Sequence, residues 1–88
     1  MRVYLQTPLA TAADAQRAPR FCHLMVQEDM LEGWTLIKET GYQGSKGRVT
    51  RSQFAEQDEA IAALIRERDR QINNGYKVVF VEGQTQTE

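Results

Sequence analysis

The residues best able to do chemistry in this chain surround a glycine-rich turn. Gly41, Gly44 and Gly47 recur at a spacing of three, and cationic side chains flank them. A glycine backbone can approach a phosphate closely, and Lys and Arg add charge-assisted hydrogen bonds. Tyr42 adds an aromatic surface on which a base could stack. The candidate nucleic-acid contacts are Lys38, Tyr42, Gln43, Lys46, Arg48 and Arg51.

The charge of this segment differs from that of the whole chain. From Lys38 to Arg51, four cationic side chains oppose the single carboxylate of Glu39, whereas the 88-residue chain has a net charge of −1. Three or four phosphate contacts would give weak binding. The slope of log affinity against log salt concentration would be on the order of −0.9 per contact for duplex DNA. The same charges could instead be solvated and prevent edge-to-edge strand pairing. The residues alone leave both interpretations open.

No enzyme, cofactor or metal site is predicted. His23 and Cys22 lie within a predicted strand, where we expect a packing or rim role for the histidine and a buried role for the thiol. No nucleophile has a visible base partner, and no His, Cys and acidic cluster has metal-ligand spacing. The segment Gly44-Ser45-Lys46-Gly47 matches the GxxG loop of KH RNA-binding domains, but strands rather than helices flank it. A phosphate-binding P-loop would also need a helix here.

Strands must hold this turn, and period-two patterns predict them. The predicted strands are Arg2–Thr7, Arg20–Glu28, Trp34–Gly41, Arg48–Phe54 and Tyr76–Val81. The second has apolar residues on both faces, which is typical of a central strand. Gly33 is expected to take the positive-φ position of the following loop. The alanine-rich segment Thr11–Ala18 is interpreted as a loop, with one helical turn as the alternative.

The pattern then changes to a helical period. Ile61, Leu64, Ile65 and Ile72 fall on one stripe of a helix that follows the fourth strand. Asn73-Asn74-Gly75 supplies its C-terminal stop, with Gly75 in the left-handed region. A helix with one apolar stripe can bury it against one face of a sheet. We therefore predict that the helix contacts the strand residues Leu24, Val26, Trp34, Leu36 and Phe54.

The expected fold class is therefore α+β. We predict one small domain over residues 1–82, an antiparallel β-sheet of four to five strands with one long α-helix packed across one face, and a flexible tail over residues 83–88.

Several features in order are similar to those of a known family. They are an aromatic strand starting at Arg20, a tryptophan-led strand from Gly33, the turn Gly44–Gly47, a strand ending at Phe54 and a helix closing with Gly75-Tyr76. Over Arg20–Tyr76 the chain resembles a WGR domain, found in poly(ADP-ribose) polymerases and as short stand-alone bacterial proteins. The resemblance implies the same fold, with structural roles for Trp34, Phe54, Gly75 and Tyr76.

The namesake Trp-Gly-Arg tripeptide reads Thr40-Gly41-Tyr42 in this chain. In DNA-break-responsive polymerases the family's tryptophan and arginine help to hold DNA near a strand end. Thr40 cannot stack on a base, but Tyr42 shares its strand face and could replace part of that stacking. The resemblance therefore implies a non-catalytic module with weak DNA or other nucleic-acid binding.

The alternative is a protein–protein interaction module or accessory subunit without nucleic-acid affinity. The lost tryptophan and arginine favour it, as does the β-prone strand Tyr76–Val81, which could accept an added strand. We expect a monomer or weak homodimer. No apolar run approaches the ~20 residues of a membrane span, and no long apolar h-region follows Met1-Arg2, so a cytoplasmic protein without a membrane is expected.

Overall fold

The computed structural model describes residues 1–8 and 19–83 and confirms the predicted fold class. The elements are β1 (Arg2–Gln6), β2 (Arg20–Glu28), β3 (Trp34–Tyr42), β4 (Arg48–Phe54), α1 (Gln57–Asn73) and β5 (Lys77–Glu82). The strands form one antiparallel sheet in the order β4-β3-β2-β1-β5, and α1 packs across one face. The loop predicted at Thr11–Ala18 and residues 84–88 of the predicted tail lie outside the described residues.

The central strand β2 shows how the faces are divided. Cys22, Leu24 and Val26 are buried on the side that α1 covers. Phe21 and His23 lie on the other side, which we call the open face, because successive strand residues point to opposite faces. β1 and β3 flank β2, which confirms that it is central.

The core lies between α1 and the sheet. Its buried members are Val3, Leu5, Cys22, Leu24, Val26, Leu36, Ala60, Leu64 and Tyr76, with Trp34, Phe54, Ile61 and Ile65 packed around them. Ile72 is 43% exposed, so its predicted place in the core is wrong. At about 100° per residue, Ile72 lies about 80° around the helix from Leu64, whereas Gln71 lies within about 20° of it. Gln71 is buried in the position expected for Ile72.

The end of α1 explains the structural roles of Gly75 and Tyr76. Gly75 has a φ of 98°, as predicted, and its N–H donates to the Ile72 carbonyl at 3.0 Å. The Tyr76 N–H donates to the Gln71 carbonyl at 3.0 Å, and its side chain joins the core. This pair of hydrogen bonds is a Schellman motif, which needs a left-handed residue where Gly75 stands.

The loop between β2 and β3 corrects a prediction about Gly33. Glu32, and not Gly33, takes the positive φ of 66°. Asp29 Oδ1 accepts the N–H groups of Leu31 at 2.8 Å and Gly33 at 3.0 Å, which fixes the loop without a left-handed Gly33. Gly33 is needed for space instead, because a Cβ there would lie 3.0 Å from the Phe54 carbonyl oxygen.

Within residues 1–8 and 19–83, no helix has the length and apolar character required to cross a bilayer.

Candidate nucleic-acid interface

A tight turn joins β3 to β4. The Ser45 N–H donates to the Tyr42 carbonyl at 3.1 Å, and Ser45 Oγ donates to the same oxygen at 2.9 Å. Gly44 has a φ of 84°, the left-handed conformation that this position of a type II turn requires. The turn exposes Gly44, Ser45 and Lys46 to solvent.

The other two glycines allow the backbone to pack closely. A Cβ on Gly41 would lie 3.0 Å from Gly47 Cα, so the two strands meet here without side chains. A Cβ on Gly47 would lie 2.8 Å from Glu39 Oε2 and 2.9 Å from the Thr40 carbonyl oxygen. A carboxylate therefore lies against the turn at Gly47 and disfavours an anion there. A phosphate would have to approach from another side.

Arg20 and Tyr42 face each other at this end of the sheet. They are directly opposite in the β2–β3 pairing, and the Arg20 guanidinium carbon lies 5.8 Å from the centre of the Tyr42 ring. Tyr42 remains 46% exposed, and Arg20 is also exposed. A guanidinium over an aromatic face is a cation–π contact, and it orients both flat groups.

Arg48 lies on the same side of the sheet. It is opposite Thr40 in the β3–β4 pairing, and Thr40 shares a strand face with Tyr42. This is the face of the sheet on which α1 packs, but the Arg48 side chain is exposed to solvent. Together with the turn residue Lys46, these side chains form what we call the arginine–tyrosine corner: Arg20, Tyr42, Lys46 and Arg48.

The corner contains three cationic side chains, Arg20, Lys46 and Arg48. Within the described part of the chain, Arg20, Lys46 and Arg48 form no ion pair. Since the carboxylate of Glu39 belongs to the open face, the charge of the corner on the α1 side is positive. The arrangement can attract a phosphate and stack a base on adjacent atoms.

Lys38 is the first predicted contact that lies elsewhere. Its Nζ lies 3.1 Å from Glu67 Oε2 on α1, and its side chain is only 28% exposed. Glu67 also accepts hydrogen bonds from Arg70 at 2.8 Å and Gln71 at 2.8 Å. Burial acts to raise the pKa of the Glu67 carboxyl, but the hydrogen bonds from Arg70, Gln71 and Lys38 lower it overall. Lys38 thus fastens the helix to the sheet.

Gln43 is also engaged within the protein. Its Nε2 donates to Gln6 Oε1 at 2.9 Å and to Tyr4 Oη, and its N–H donates to the Pro19 carbonyl at 2.7 Å. These contacts link the end of β3 to β1 across the open face. Gln43 is placed to hold the sheet together rather than to contact a ligand.

Arg51 lies on the open face. It is opposite Ile37 in the β3–β4 pairing, one residue away from the face that carries Arg48. Of the six predicted contacts, Tyr42 and Arg48 therefore lie on the α1 side of the sheet, and Lys46 is exposed in the turn between them. Lys38 and Gln43 contact other residues of the protein, and Arg51 lies on the open face.

Sequence reasoning missed Arg20. The signal was present in the hairpin register, because counting back from the loop at Asp29–Gly33 pairs Arg20 with Tyr42. Arg20 was considered only as the first residue of a strand. The predicted ends of β2 and β3 define the length of the loop between them, and this length determines which residue lies opposite Arg20.

Cys22 and His23 have the expected buried and packing roles. Cys22 is fully buried, and burial raises the pKa of its thiol to about 11. His23 packs edge-on against Tyr4, with ring centres 5.9 Å apart. Residues 1–8 and 19–83 contain no group of three or more His, Cys, Asp and Glu side chains arranged to hold a metal ion.

Comparisons of the chain with protein-family models, curated proteins and solved structures return no match. The arginine–tyrosine corner is therefore interpreted from its own chemistry.

Proposed function

We propose that this chain is a non-catalytic, WGR-like binding module that binds nucleic acid weakly through the arginine–tyrosine corner. The observation that carries the proposal is the exposed Tyr42 ring with the Arg20 guanidinium 5.8 Å from its centre. Arg20 lies over the ring, and the exposed part of Tyr42 supplies an aromatic surface for a base. Lys46 and Arg48 supply charge for the adjoining phosphates.

The chemistry of the corner favours single strands and strand ends over intact duplex. Tyr42 can stack only on a base that has left the duplex stack, and base–aromatic stacking tolerates any sequence. With three cations, the slope of log affinity against log salt should be roughly −2 for single strands. This shallow slope and the net charge of −1 predict weak binding without strong sequence preference. The resemblance to WGR domains supports the same class of ligand, and we place the protein in the bacterial cytoplasm.

Fluorescence anisotropy with labelled single-stranded, nicked and duplex oligonucleotides tests the proposal, starting at about 50 mM salt because weak electrostatic binding fades above it. The decisive pair of variants is Arg48→Glu and Arg51→Glu, which reverse exposed charges three residues apart on opposite faces of β4. We expect Arg48→Glu to weaken binding and to lower the salt slope by about 1, as for the loss of one phosphate contact. Arg51→Glu should bind like the original chain.

Two results would overturn the proposal. One is the absence of binding to all three oligonucleotides at low salt and high protein concentration. The other is an equal loss of affinity in the two variants, since the charge would then act through the whole molecule rather than through the corner.

A second candidate function is protein–protein interaction without nucleic-acid affinity. The exposed strand β5 favours it, because Val78, Val79, Phe80 and Val81 all reach solvent. An edge strand of this composition can accept a strand from another protein. Capture of one specific protein, lost on Val79→Asp, would support this function, and capture that is unchanged by Val79→Asp would contradict it.

A further inference from the structure

β5 is the outer strand on one side of the sheet. It pairs with β1 along one edge, and all six of its residues are exposed. An edge strand presents unpaired N–H and C=O groups to any strand that can align with it. Four consecutive apolar side chains on this edge, Val78 to Val81, are exposed, and pairing with another strand would bury part of them.

The pairing of β5 with β1 contains an irregularity. As a result, the first and last residues of β5 lie on one face of the sheet, and the second and the fifth lie on the other. Val78 is opposite Leu5 and Phe80 is opposite Tyr4, so Val79 is an extra residue without a partner in β1. Val78 and Val81 consequently lie on the α1 side, opposite Leu5 and Val3. Lys77, Phe80 and Glu82 lie on the open face, opposite Gln6, Tyr4 and Arg2.

This pattern allows β5 to pair with a second copy of itself. In an antiparallel pair about a two-fold axis, Lys77 would face Glu82 of the other copy and Val78 would face Val81. The two side chains of each of these pairs then lie on one side of the sheet, as directly opposed residues in antiparallel strands must. The central pair opposes Val79, the residue without a partner in β1, to Phe80. A shift of one residue in either direction would oppose Val78 to Phe80 or to Glu82, which lie on the other face. Only one of these three registers is compatible with the facing of the side chains.

The same register is favoured by charge. Glu82 already contacts Arg2 on β1 at 2.5 Å. Pairing would add Lys77 of the second copy on the other side of Glu82, so that each carboxylate lies between two cations. Opposite charges across a strand pair are stabilising, and the two-fold axis repeats the contact.

We propose that two copies of this chain associate through β5 in this register. Two five-stranded sheets then join into one, with both helices on the same side. The arginine–tyrosine corner lies at the β3–β4 end of each sheet, away from the new interface, so that self-association does not depend on the proposed nucleic-acid binding. A six-residue strand pair is small for a protein interface, which predicts a weak, concentration-dependent dimer.

Sedimentation velocity measures this association over about 10 μM to about 1 mM, the range in which a small interface assembles. The original chain should move from monomer to dimer. Lys77→Glu should remain monomeric, because two carboxylates would then face each other at both ends. Lys46→Glu has the same change of charge at the distant corner and should dimerise like the original chain.

A mixing experiment tests the register itself. Lys77→Glu opposes Glu to Glu, and Glu82→Lys opposes Lys to Lys, so each variant alone should be monomeric. In an equimolar mixture the charges at both ends become opposite, and the heterodimer should form. Circular dichroism of each variant shows whether the monomer is folded, and Val79→Asp provides a second disruption at a residue without a partner in β1.

A monomeric original chain at the highest concentration would overturn the proposal. So would dimerisation of all the variants, or a mixture that associates no better than its components, since the interface or its register would then lie elsewhere. Open-ended oligomers would also contradict it, because a two-fold contact closes at the dimer.

Discussion

The guanidinium carbon of Arg20 lies 5.8 Å from the centre of the Tyr42 ring, across the last residue pair of the β2–β3 hairpin. The contact places a cation and an exposed aromatic ring at the end of the sheet where the glycine turn begins. Because both side chains belong to regular strands, their positions are set by the sheet register and not by the conformation of a loop. The Arg20–Tyr42 pair is therefore a preformed part of the corner.

Tyr42 should contribute to nucleic-acid binding through its ring and not through its hydroxyl group. Loss of a base–aromatic stack costs about 1–3 kcal/mol of binding free energy, so Tyr42→Ala should weaken binding of single strands by roughly fivefold or more. Tyr42→Phe keeps the ring and should retain the affinity. Fluorescence anisotropy with the same oligonucleotide measures both, and equal affinities of the Ala and Phe variants would exclude stacking at this residue.

Gly47 should be the glycine of the turn that is least tolerant of a side chain. A Cβ there would lie 2.9 Å from the Thr40 carbonyl oxygen, a backbone atom that cannot move freely, so Gly47→Ala should destabilise the fold by about 1–3 kcal/mol. Gly44→Ala meets no atom within 4 Å but keeps a φ of 84°, which should cost about 1 kcal/mol. Urea unfolding compares the two. A smaller loss at Gly47 than at Gly44 would show that the hairpin relaxes around the new methyl group.

Two side-chain truncations of similar size should show which face of α1 packs against the sheet. Leu64 is fully buried, and Leu64→Ala should lower the free energy of unfolding by about 2–5 kcal/mol through the lost contacts and the cavity. Ile72 is 43% exposed, and Ile72→Ala should cost less than about 1 kcal/mol. Chemical denaturation of both variants checks the difference. Similar losses in the free energy of unfolding would show that Ile72 is part of the core.

Glu67 should make the fold more sensitive to acid. Its pKa is lowered in the folded protein, so its charged form stabilises the fold above the ordinary carboxyl pKa of 4.5. This stabilisation is lost as the pH falls through the lowered pKa. Glu67→Gln should therefore be less stable than the original chain at pH 7, with a smaller loss of stability between about pH 5 and about pH 2.

The free energy of unfolding measured across that pH range tests the role of Glu67. Asp69→Asn removes a more exposed carboxylate two residues away and controls for the change in net charge. If Glu67→Gln and Asp69→Asn had the same pH dependence, the contacts of Glu67 with Lys38, Arg70 and Gln71 would not account for the effect.

Local patterns in the sequence were sufficient for the elements of this fold. β2 and β4 have the predicted ends, β1 and β3 differ by one residue at one end, and β5 is shifted by one residue at both ends. Alternation over short segments and the glycine at the end of α1 are local properties, which the chain carries without reference to distant residues. The two faces of β2 followed from the same alternation.

The candidate site was only partly predictable. Tyr42, Lys46 and Arg48 are neighbours along the hairpin, and the structure places Tyr42 and Arg48 on one face of the sheet. Arg20 reaches Tyr42 only through the pairing of two strands, and Lys38 is drawn to Glu67, a residue 29 positions later in the chain. The partner of Arg20 could have been counted from the loop of the β2–β3 hairpin, whereas the contact of Lys38 depends on how α1 packs on the sheet, which a local pattern does not contain.

The sequence by itself thus determined the strands, the helix and the turn glycines, because each follows from backbone geometry and side-chain period within a few residues. The tertiary structure decided that β5 joins β1 at the sheet edge, that Gln71 rather than Ile72 faces the core, and which cations meet at the corner. These outcomes depend on the order of strands and the rotation of α1 on the sheet, and both are set by the packing of the whole domain.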